Sequence, residues 1–343
     1  PDRSASLLGG NTTVPLSPIY RQRRPHLRLL LLLLLAVLTA PSLSAAPLDG
    51  PLYERAAAPA LVSDGRISLG DQEAQDPAAD IRAIYLPPAS LTERRIADLI
   101  HHAGQLPVNG VVLHVKDPFG RLRWQSAAAL ATANGTMRQT RHLVNLIDHL
   151  QANGIWTIAK LDLFADHGLV AANPAMGLIH ADTLGSWKDK NGLHWANPYD
   201  ERVWDYYISL ASELAGLGFD EVQFDYVRFP SDGELSKIRY PLRQPGLTRA
   251  ACIGRFLERA YAELKPTGVT VSADIFGLTA WKTDDFGVGQ ILEEMAPHLD
   301  VVCPMFYPSH FPRGFLGKQS PGEYPREIMA RSRMLVSTNA VCA

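Results

Sequence analysis

The chain has 343 residues, of which 46% are hydrophobic, and a formal net charge of -2. That length accommodates one large domain with an appended segment. The near-neutral charge, with no basic stripe among aromatic residues, argues against a nucleic-acid partner. The three cysteines (Cys252, Cys303 and Cys342) are odd in number and far apart, which indicates neither a metal site nor a disulfide framework. We therefore expect no cofactor.

Residues 1–46 have the order of a secretory signal. Basic side chains between 21 and 28 precede a nearly unbroken apolar run of 12 residues, 29–40, and small residues follow up to Ala46. A membrane-spanning helix needs about 20 residues, so the run is short for one. We expect cleavage near Ala46 and export to the periplasm, cell envelope or extracellular space. The alternative is an uncleaved anchor, which would be the chain's link to a membrane.

Residues 47–77 are rich in Ala, Pro, Gly and Asp without a sustained period, which predicts a flexible linker. Residues 78–343 then alternate between apolar strands and amphipathic helices. The predicted strands are Ile81–Leu86, Val108–Val115, Ile155–Phe164, about eight residues after Gly218, Val269–Phe276 and Leu299–Tyr307. The predicted helices run from a Ser90–Glu93 capping box to about Ala103, then over Thr140–Ala152, Asp200–Leu217, Thr248–Leu264, Gly289–Ala296 and near Glu323–Leu335.

Apolar strands that alternate with helices indicate an α/β fold with a parallel sheet, either an open doubly wound sheet or a (β/α)8 TIM-type barrel. The first strand lacks the glycine-rich phosphate loop of dinucleotide-binding folds. Polar candidates follow several strands in turn, which favours the barrel. Residues 308–343 leave room for one more helix, so we expect the barrel domain, 78–343, to be C-terminally incomplete, truncated after about six strands. Two unpaired sheet edges would then favour self-association.

The run that starts at Gly218 reads GFDEVQFDYVRFPSDG and carries a carboxylate in an unusual place. Asp225 lies near the end of an aromatic-rich strand, where a desolvated charge is costly unless it is paired. One interpretation is a buried ion pair with Arg228. The other is a catalytic carboxylate, because barrel enzymes build their active sites at the carboxyl ends of the strands.

A second carboxylate is predicted to face the first. Side chains alternate along a strand, so Gln223 shares a face with Asp225, and Ser272 shares one with Asp274. If both faces point into the barrel, the two carboxylates converge at its mouth, and Asp117 at the end of the second strand could join them. Glycoside hydrolysis needs such a pair. The alternative role for Asp117 and Asp274 is capping of a helix N-terminus.

Aromatic residues lie in the loops that would surround this mouth. Trp187 and Trp195 occur in the long connection after the third strand, and Trp281 and Tyr307 follow the fifth and sixth strands. Exposed aromatic rings could stack on sugars. Alternatively, the tryptophans pack beneath their own loop.

Several other hydrolase signatures are missing. The first strand lacks the His-x-His of metal-dependent barrel hydrolases, and neither His-Glu-x-x-His nor Gly-x-Ser-x-Gly occurs. These absences disfavour a metal hydrolase and a serine hydrolase.

Residues 218–233 resemble the hallmark of the bacterial putative glycosyl hydrolase domain family. Further matches are VKD at 115–117, WANP at 195–198, VSADIFGLT at 271–279 and PMFYPSHF at 304–311. The resemblance extends over roughly residues 81–327 and implies a TIM barrel related to glycoside hydrolases.

On this basis we predict a glycoside hydrolase that acts on a polysaccharide or oligosaccharide of the cell envelope or extracellular space. Asp225 is the candidate nucleophile or stabilising carboxylate, and Asp274 is the candidate acid/base, with Asp117 as its substitute. The alternative is a non-catalytic carbohydrate-binding barrel in cell-wall assembly. The candidate substrate-binding residues are Lys160, Trp187, Trp195, Gln223, Arg228, Trp281 and Tyr307, and Lys160 and Arg228 could also set the pKa values of the carboxylates.

Overall fold

The computed structural model describes residues 81–307, apart from 104, 107, 134–139, 282 and 283. The predicted signal segment, linker and final helix therefore lie outside the described residues. Within them the strands are β1 (Ala83–Leu86), β2 (Gly110–Lys116), β3 (Trp156–Asp162), β4 (Ile179–His180), β5 (Glu221–Asp225), β6 (Ile238–Arg239), β7 (Thr270–Phe276) and β8 (Val301–Met305). The α-helices are α1 (Glu93–Ala103), α2 (Ala129–Ala133), α3 (Thr140–Gln151), α4 (His167–Ala172), α5 (Glu201–Gly216), α6 (Arg249–Leu264) and α7 (Leu292–Met295).

Six strands form one parallel sheet in the order β1-β2-β3-β5-β7-β8, and β4 pairs with β6 in a separate antiparallel ribbon. The order of the large sheet follows the chain without a reversal. A doubly wound sheet reverses its order at a switch point, whereas right-handed crossovers in a single direction place the helices on one face. The sheet curls into a half-barrel of six parallel strands, which confirms the predicted α/β barrel class.

One face of the sheet forms the core against the helices. Residues at alternate positions of the strands are fully buried, and they are aliphatic or aromatic: Val111, Leu113, Val115, Ala159, Leu161, Val222, Phe224, Val271, Ala273 and Ile275. The helices cover them with apolar stripes, such as Val203 and Tyr207 of α5 and Phe256 of α6. Burying each large side chain contributes about 1.5–3 kcal/mol, so this layer holds the curvature of the sheet.

The opposite, inner face is polar toward the carboxyl ends of the strands. Four polar residues pair in register across four neighbouring strands: His114, Lys160, Gln223 and Ser272. Two residues further along their strands, Asp162 pairs with Asp225. Because side chains alternate along each strand, these groups point to the same side. The sheet therefore collects its polar side chains at one end of the barrel interior.

The predicted elements differ from the observed ones mainly in the loops. Helix α1 begins at Glu93, and Thr92 rather than Ser90 accepts a hydrogen bond from the amide of Arg95 (3.3 Å), because Ser90 lies in a preceding short 3-10 turn. The long connection after β3 contains helix α4, capped by Asp166, and strand β4, neither of which was predicted. As predicted, Gly218 follows the end of α5, with φ = +95°.

Candidate active site

Three side chains meet at the carboxyl end of the sheet. The ammonium of Lys160 donates to Oδ2 of Asp225 and to Oδ2 of Asp274. Lys160 pairs in register with Gln223, so it starts one layer below Asp225 and reaches the carboxylates from inside the barrel. The side chains of Lys160, Asp225 and Asp274 are 12%, 17% and 13% exposed, so each keeps a small part of its surface open to solvent. We call these three residues the carboxylate–lysine cluster.

The electrostatics of this cluster separate the roles of its members. Burial raises the pKa of the Asp274 carboxyl to about 6; the ammonium of Lys160 opposes this rise, and the charge of Asp225 adds to it. Burial acts to lower the pKa of Lys160, but the charges and hydrogen bonds of Asp274 and Asp225 outweigh it and raise that pKa above its usual value. Lys160 is therefore an ammonium at neutral pH, while Asp274 exchanges a proton just below neutrality.

The backbone holds Asp225 in place. The amide of Tyr226 donates to Oδ1 of Asp225 at 2.6 Å, so both carboxylate oxygens accept a hydrogen bond. Tyr226 has φ = +50°, in the left-handed region that residues other than glycine rarely adopt. Such strain costs about 1–3 kcal/mol and clusters at functional sites. The strained turn fixes the orientation of the carboxylate at the end of β5.

Asp117, the third predicted carboxylate, binds its own loop and lies outside the cluster. Its Oδ1 accepts from the amides of Phe119 and Arg121, both at 3.1 Å, and its Oδ2 accepts from Nε of Arg121 at 2.9 Å. A guanidinium nitrogen of Arg123 lies 3.5 Å from the same oxygen. These contacts stabilise the turn after β2. Asp117 therefore accepts amides of this turn, whereas the predicted alternative was that it caps the N-terminus of a helix.

The predicted stacking tryptophans are buried. Trp187, Trp195 and Trp281 are 1%, 2% and 3% exposed. The indole of Trp187 donates to the carbonyl of Glu234 at 3.2 Å, and that of Trp195 to Oδ2 of Asp189 at 3.1 Å. Trp195 therefore bonds within its own connection, whereas Trp187 bonds to the loop after β5. Their rings support the long connection after β3.

Arg228 and Gln223 lie close to the cluster without joining it. The guanidinium of Arg228 packs on the rings of Trp195, Tyr226 and Phe276 at 4.9–5.1 Å from their centroids. Burial lowers its pKa, and one of its nitrogens donates to the carbonyl of Phe229 at 2.9 Å. Asp225 pairs with Lys160 rather than with Arg228, so the structure does not show the ion pair with Arg228 that was one of the two interpretations of Asp225.

Gln223 occupies the layer beneath the carboxylates, where its side-chain amide donates to Sγ of Cys303 at 3.3 Å. Cys303 itself is a partly buried residue of β8, and burial raises the pKa of its thiol to about 12. Cys303 pairs in register with Asp274, so Gln223 connects the layer beneath the carboxylates to the strand beside Asp274.

Two exposed tyrosines border the mouth. Tyr307, a predicted rim residue after β8, is 55% exposed, and Tyr85 on β1 is 48% exposed. The Tyr85 hydroxyl contacts His114, which pairs in register with Lys160, so Tyr85 lies on the same inner face of the sheet as the cluster. Aromatic rings with one polar end suit contact with sugars.

Sequence reasoning missed a series of polar side chains in contact on the first three strands. The hydroxyl of Tyr85 lies 2.8 Å from Nδ1 of His114, and Nε2 of His114 lies 3.1 Å from Oδ2 of Asp162. Burial raises the pKa of Asp162, and the interaction with His114 opposes that rise. The signal that could have found them is parity, since His114 and Asp162 interrupt otherwise apolar strands on the same face as Lys160.

A buried ion pair braces the ends of β2 and β3. The ammonium of Lys116 lies 2.8 Å from Oδ2 of Asp166, with both side chains fully buried, and it also donates to the carbonyl of Asp162. Oδ1 of Asp166 accepts the amide of Leu169 at 2.9 Å and caps α4. Lys116 of the VKD motif at 115–117 therefore supports the ends of the strands that carry the site.

In the described part of the chain, no group of three or more His, Cys, Asp or Glu side chains is arranged to hold a metal ion. The helices within that part are each too short or too polar to cross a membrane.

Two carboxylates at the carboxyl-end mouth of a parallel β/α barrel define the class of glycoside-hydrolase-like barrels. The fold resembles that of the PgaB (BpsB) glycoside hydrolase domain from Bordetella bronchiseptica, with a TM-score of 0.55 and 14% identity over 76% of this chain and 81% of that one. It also resembles a hypothetical protein from Ruminiclostridium thermocellum ATCC 27405, with a TM-score of 0.51 and 28% identity over 56% of this chain and 96% of that one.

The sequence profile of the putative glycosyl hydrolase domain family matches residues 83–341. The chain belongs to this family, which confirms the resemblance seen in its motifs. No curated protein sequence matches the chain significantly. Family and fold together support a carbohydrate-active role.

Proposed function

We propose that this protein hydrolyses glycosidic bonds of a cell-envelope or extracellular polysaccharide. The observation that carries the proposal is the pair Asp225 and Asp274, which share the ammonium of Lys160 at the mouth of the barrel. The secretory pattern of residues 1–46 supports the location of the substrate outside the cytoplasm.

The proposed roles follow from the surroundings of each carboxylate. Asp225 accepts hydrogen bonds from Lys160 and from the Tyr226 amide, which hold both of its oxygens in place at the mouth of the barrel, so it is the proposed nucleophile or stabilising carboxylate. Asp274, with its pKa raised to about 6, is the proposed acid that protonates the leaving oxygen. Once the bond is broken, Asp274 is ionised and can accept a proton from the attacking water.

A screen of polysaccharides tests the proposal. Purified protein would be incubated with xylan, soluble starch, carboxymethylcellulose, galactan and partly de-N-acetylated chitin, and released reducing ends would be measured. We expect release from at least one polymer by the wild type and its loss in Asp225→Asn. Release that persists in Asp225→Asn would rule out the proposed site.

The pH dependence of hydrolysis gives an independent prediction. The acid must carry its proton, and the protonated fraction of Asp274 falls as the pH rises through about 6. We therefore expect kcat/KM to decline toward alkaline pH with a midpoint near 6, and Asp274→Asn to abolish this limb. A profile that is flat or rises between pH 5 and pH 8 would contradict the assignment of Asp274.

The stereochemistry of the product is a further prediction. Oxygens bound to one ammonium lie about 2.7–2.9 Å from it, so Oδ2 of Asp225 and Oδ2 of Asp274 are less than about 6 Å apart. Carboxyl groups roughly 5–5.5 Å apart accompany retention, and separations of roughly 6.5–9.5 Å accompany inversion. We expect the first product to keep the anomeric configuration of the substrate. Proton NMR in the first minutes of reaction measures this, and the opposite anomer would contradict it.

A specific observation also favours the non-catalytic alternative, a carbohydrate-binding barrel. The ammonium of Lys160 pairs with both carboxylates, as it would in a polar site that only binds sugars. Saturable binding of a polymer without cleavage by the wild type, at any pH between 5 and 8, would support this alternative and exclude hydrolysis.

A further inference from the structure

Tyr85, His114 and Asp162 form a connected series on three neighbouring strands, β1, β2 and β3. The Tyr85 hydroxyl lies 2.8 Å from Nδ1 of His114, and Nε2 of His114 lies 3.1 Å from Oδ2 of Asp162. His114 and Asp162 are buried, whereas Tyr85 is half exposed. The series therefore leads from a buried carboxylate to a phenol at the mouth of the barrel.

The carboxylate of Asp162 determines which hydrogen-bonding role is left to the hydroxyl of Tyr85. Nε2 of His114 lies 3.1 Å from Oδ2 of Asp162, and a carboxylate oxygen at that distance favours the tautomer with hydrogen on Nε2. In the neutral ring Nδ1 is then an acceptor, and the Tyr85 hydroxyl must donate to it. Partial burial raises the pKa of Tyr85, so the phenol keeps this proton at neutral pH. The lone pairs of the phenolic oxygen are left to accept a hydrogen bond from another group.

We propose that Tyr85 accepts a hydrogen bond from a ring hydroxyl of the sugar that lies against the carboxylate–lysine cluster, with His114 and Asp162 as positioning residues. This inference rests on the proposed function and names a subsite for it. Tyr85 is suited to the task because its half-exposed ring offers apolar surface and its hydroxyl contacts His114, which pairs in register with Lys160 of the cluster. Asp162 is too deeply buried to touch a sugar and acts through His114.

The tautomer of His114 is the first test and needs no sugar. In full-length protein labelled with ¹⁵N-histidine, long-range ¹H–¹⁵N spectra at pH 7.5 identify which ring nitrogen carries hydrogen, and His114→Gln assigns the signal. We expect the neutral form with hydrogen on Nε2. Asp162→Asn should place hydrogen partly on Nδ1, because its amide can donate to Nε2. Glu221→Gln is the control: it alters a buried carboxylate at the start of β5, at the opposite end of that strand from Asp225, and it should leave the His114 spectrum unchanged.

Hydrogen on Nδ1 of His114 in the otherwise unaltered protein overturns the proposal, since the Tyr85 hydroxyl would then be free to donate. An unchanged His114 spectrum in Asp162→Asn also overturns it, because Asp162 would not then set the tautomer.

Sugar binding is the second test, with cellohexaose, maltohexaose and chitohexaose as probes in titration calorimetry on the Asp225→Asn background. Tyr85→Phe keeps the ring and removes the acceptor, so we expect about tenfold weaker binding of the hexasaccharide that binds best. Tyr261→Phe is the matched control. The Tyr261 hydroxyl donates to Oδ1 of Asp300 at a distance of 3.0 Å, in a part of the molecule separate from the site, so its removal should leave the affinity unchanged.

Equal affinity of the Tyr85→Phe variant and its parent overturns the proposed subsite. If the wild type cleaves none of the polymers but Tyr85→Phe still weakens binding, hydrolysis is excluded and the subsite stands. The two hypotheses therefore fail separately.

Discussion

Replacing Asp225 by asparagine is expected to lower polysaccharide hydrolysis by about a thousandfold or more. The amide has nearly the same shape and can still accept the hydrogen bond from the Tyr226 amide. It carries no negative charge, so it can neither attack the anomeric carbon nor stabilise positive charge there. The initial rate of reducing-end release, measured at pH 6 with saturating polymer, gives the size of the effect.

Two variants separate chemistry from folding in this experiment. Asp117→Asn removes a carboxylate that binds its own turn, and Glu221→Gln removes one that accepts from Ser272 at 2.5 Å and Trp156 at 3.1 Å. Both should keep activity within about threefold once corrected for the folded fraction, which thermal unfolding supplies. A loss of less than tenfold in Asp225→Asn would mean that the reaction does not depend on this carboxylate.

The strands and helices were predictable because their sequence patterns involve residues that are close together in the chain. Apolar strands and amphipathic helices alternate with a clear change of period, and most predicted strand bounds agree with the observed ones within a few residues. Strand parity also placed Asp225 and Asp274 on inward faces, and the structure brings them together. Both inferences depend on neighbours in sequence or on the two-residue repeat of a strand.

The partners of these carboxylates could not be predicted in the same way. Lys160 reaches Asp274 across β5, which depends on the curl of the sheet and on the register between three strands. The series from Tyr85 to Asp162 requires the same knowledge of neighbouring strands. Register is a tertiary property, so residue spacing alone does not identify these contacts.

The sequence also did not predict which aromatic residues are exposed and which are buried. Trp187 and Trp195 belong to a long polar connection, which suggests exposure. In the structure β4 of that connection pairs with β6 of the loop after β5, and the indoles are buried. Tyr85 was treated as an ordinary strand residue, yet it borders the candidate site. Burial in loops depends on packing against segments far away in sequence.

Replacing Lys160 by methionine is expected to destabilise the fold in a pH-dependent way. The variant keeps much of the packing volume and leaves Asp225 and Asp274 close together without their shared cation. Breaking a buried ion pair by removing one partner typically costs about 3–5 kcal/mol. We expect a loss of this size in the free energy of unfolding at pH 8, measured by urea denaturation.

The loss should be much smaller at pH 4. The raised pKa of Lys160 keeps its ammonium charged between pH 4 and pH 8, so the pH dependence of its contribution comes from Asp274, whose carboxyl is mostly protonated at pH 4 and ionised at pH 8. Without the lysine, the folded-state pKa of Asp274, which burial already raises to about 6, rises further above the ordinary value of 3.8. The folded variant then binds more protons than the unfolded chain, so its stability falls as the pH rises through this window.

Lys265→Met provides the matched control, because Lys265 pairs with Asp300 at 2.6 Å on the surface with about half of its side chain exposed. A surface pair contributes about 0–1 kcal/mol, so this variant should change little at either pH. An equal loss for Lys160→Met at pH 4 and pH 8 would mean that Lys160 stabilises the barrel by packing. A loss confined to the higher pH means that its charge is what holds two carboxylates together at the mouth of the barrel.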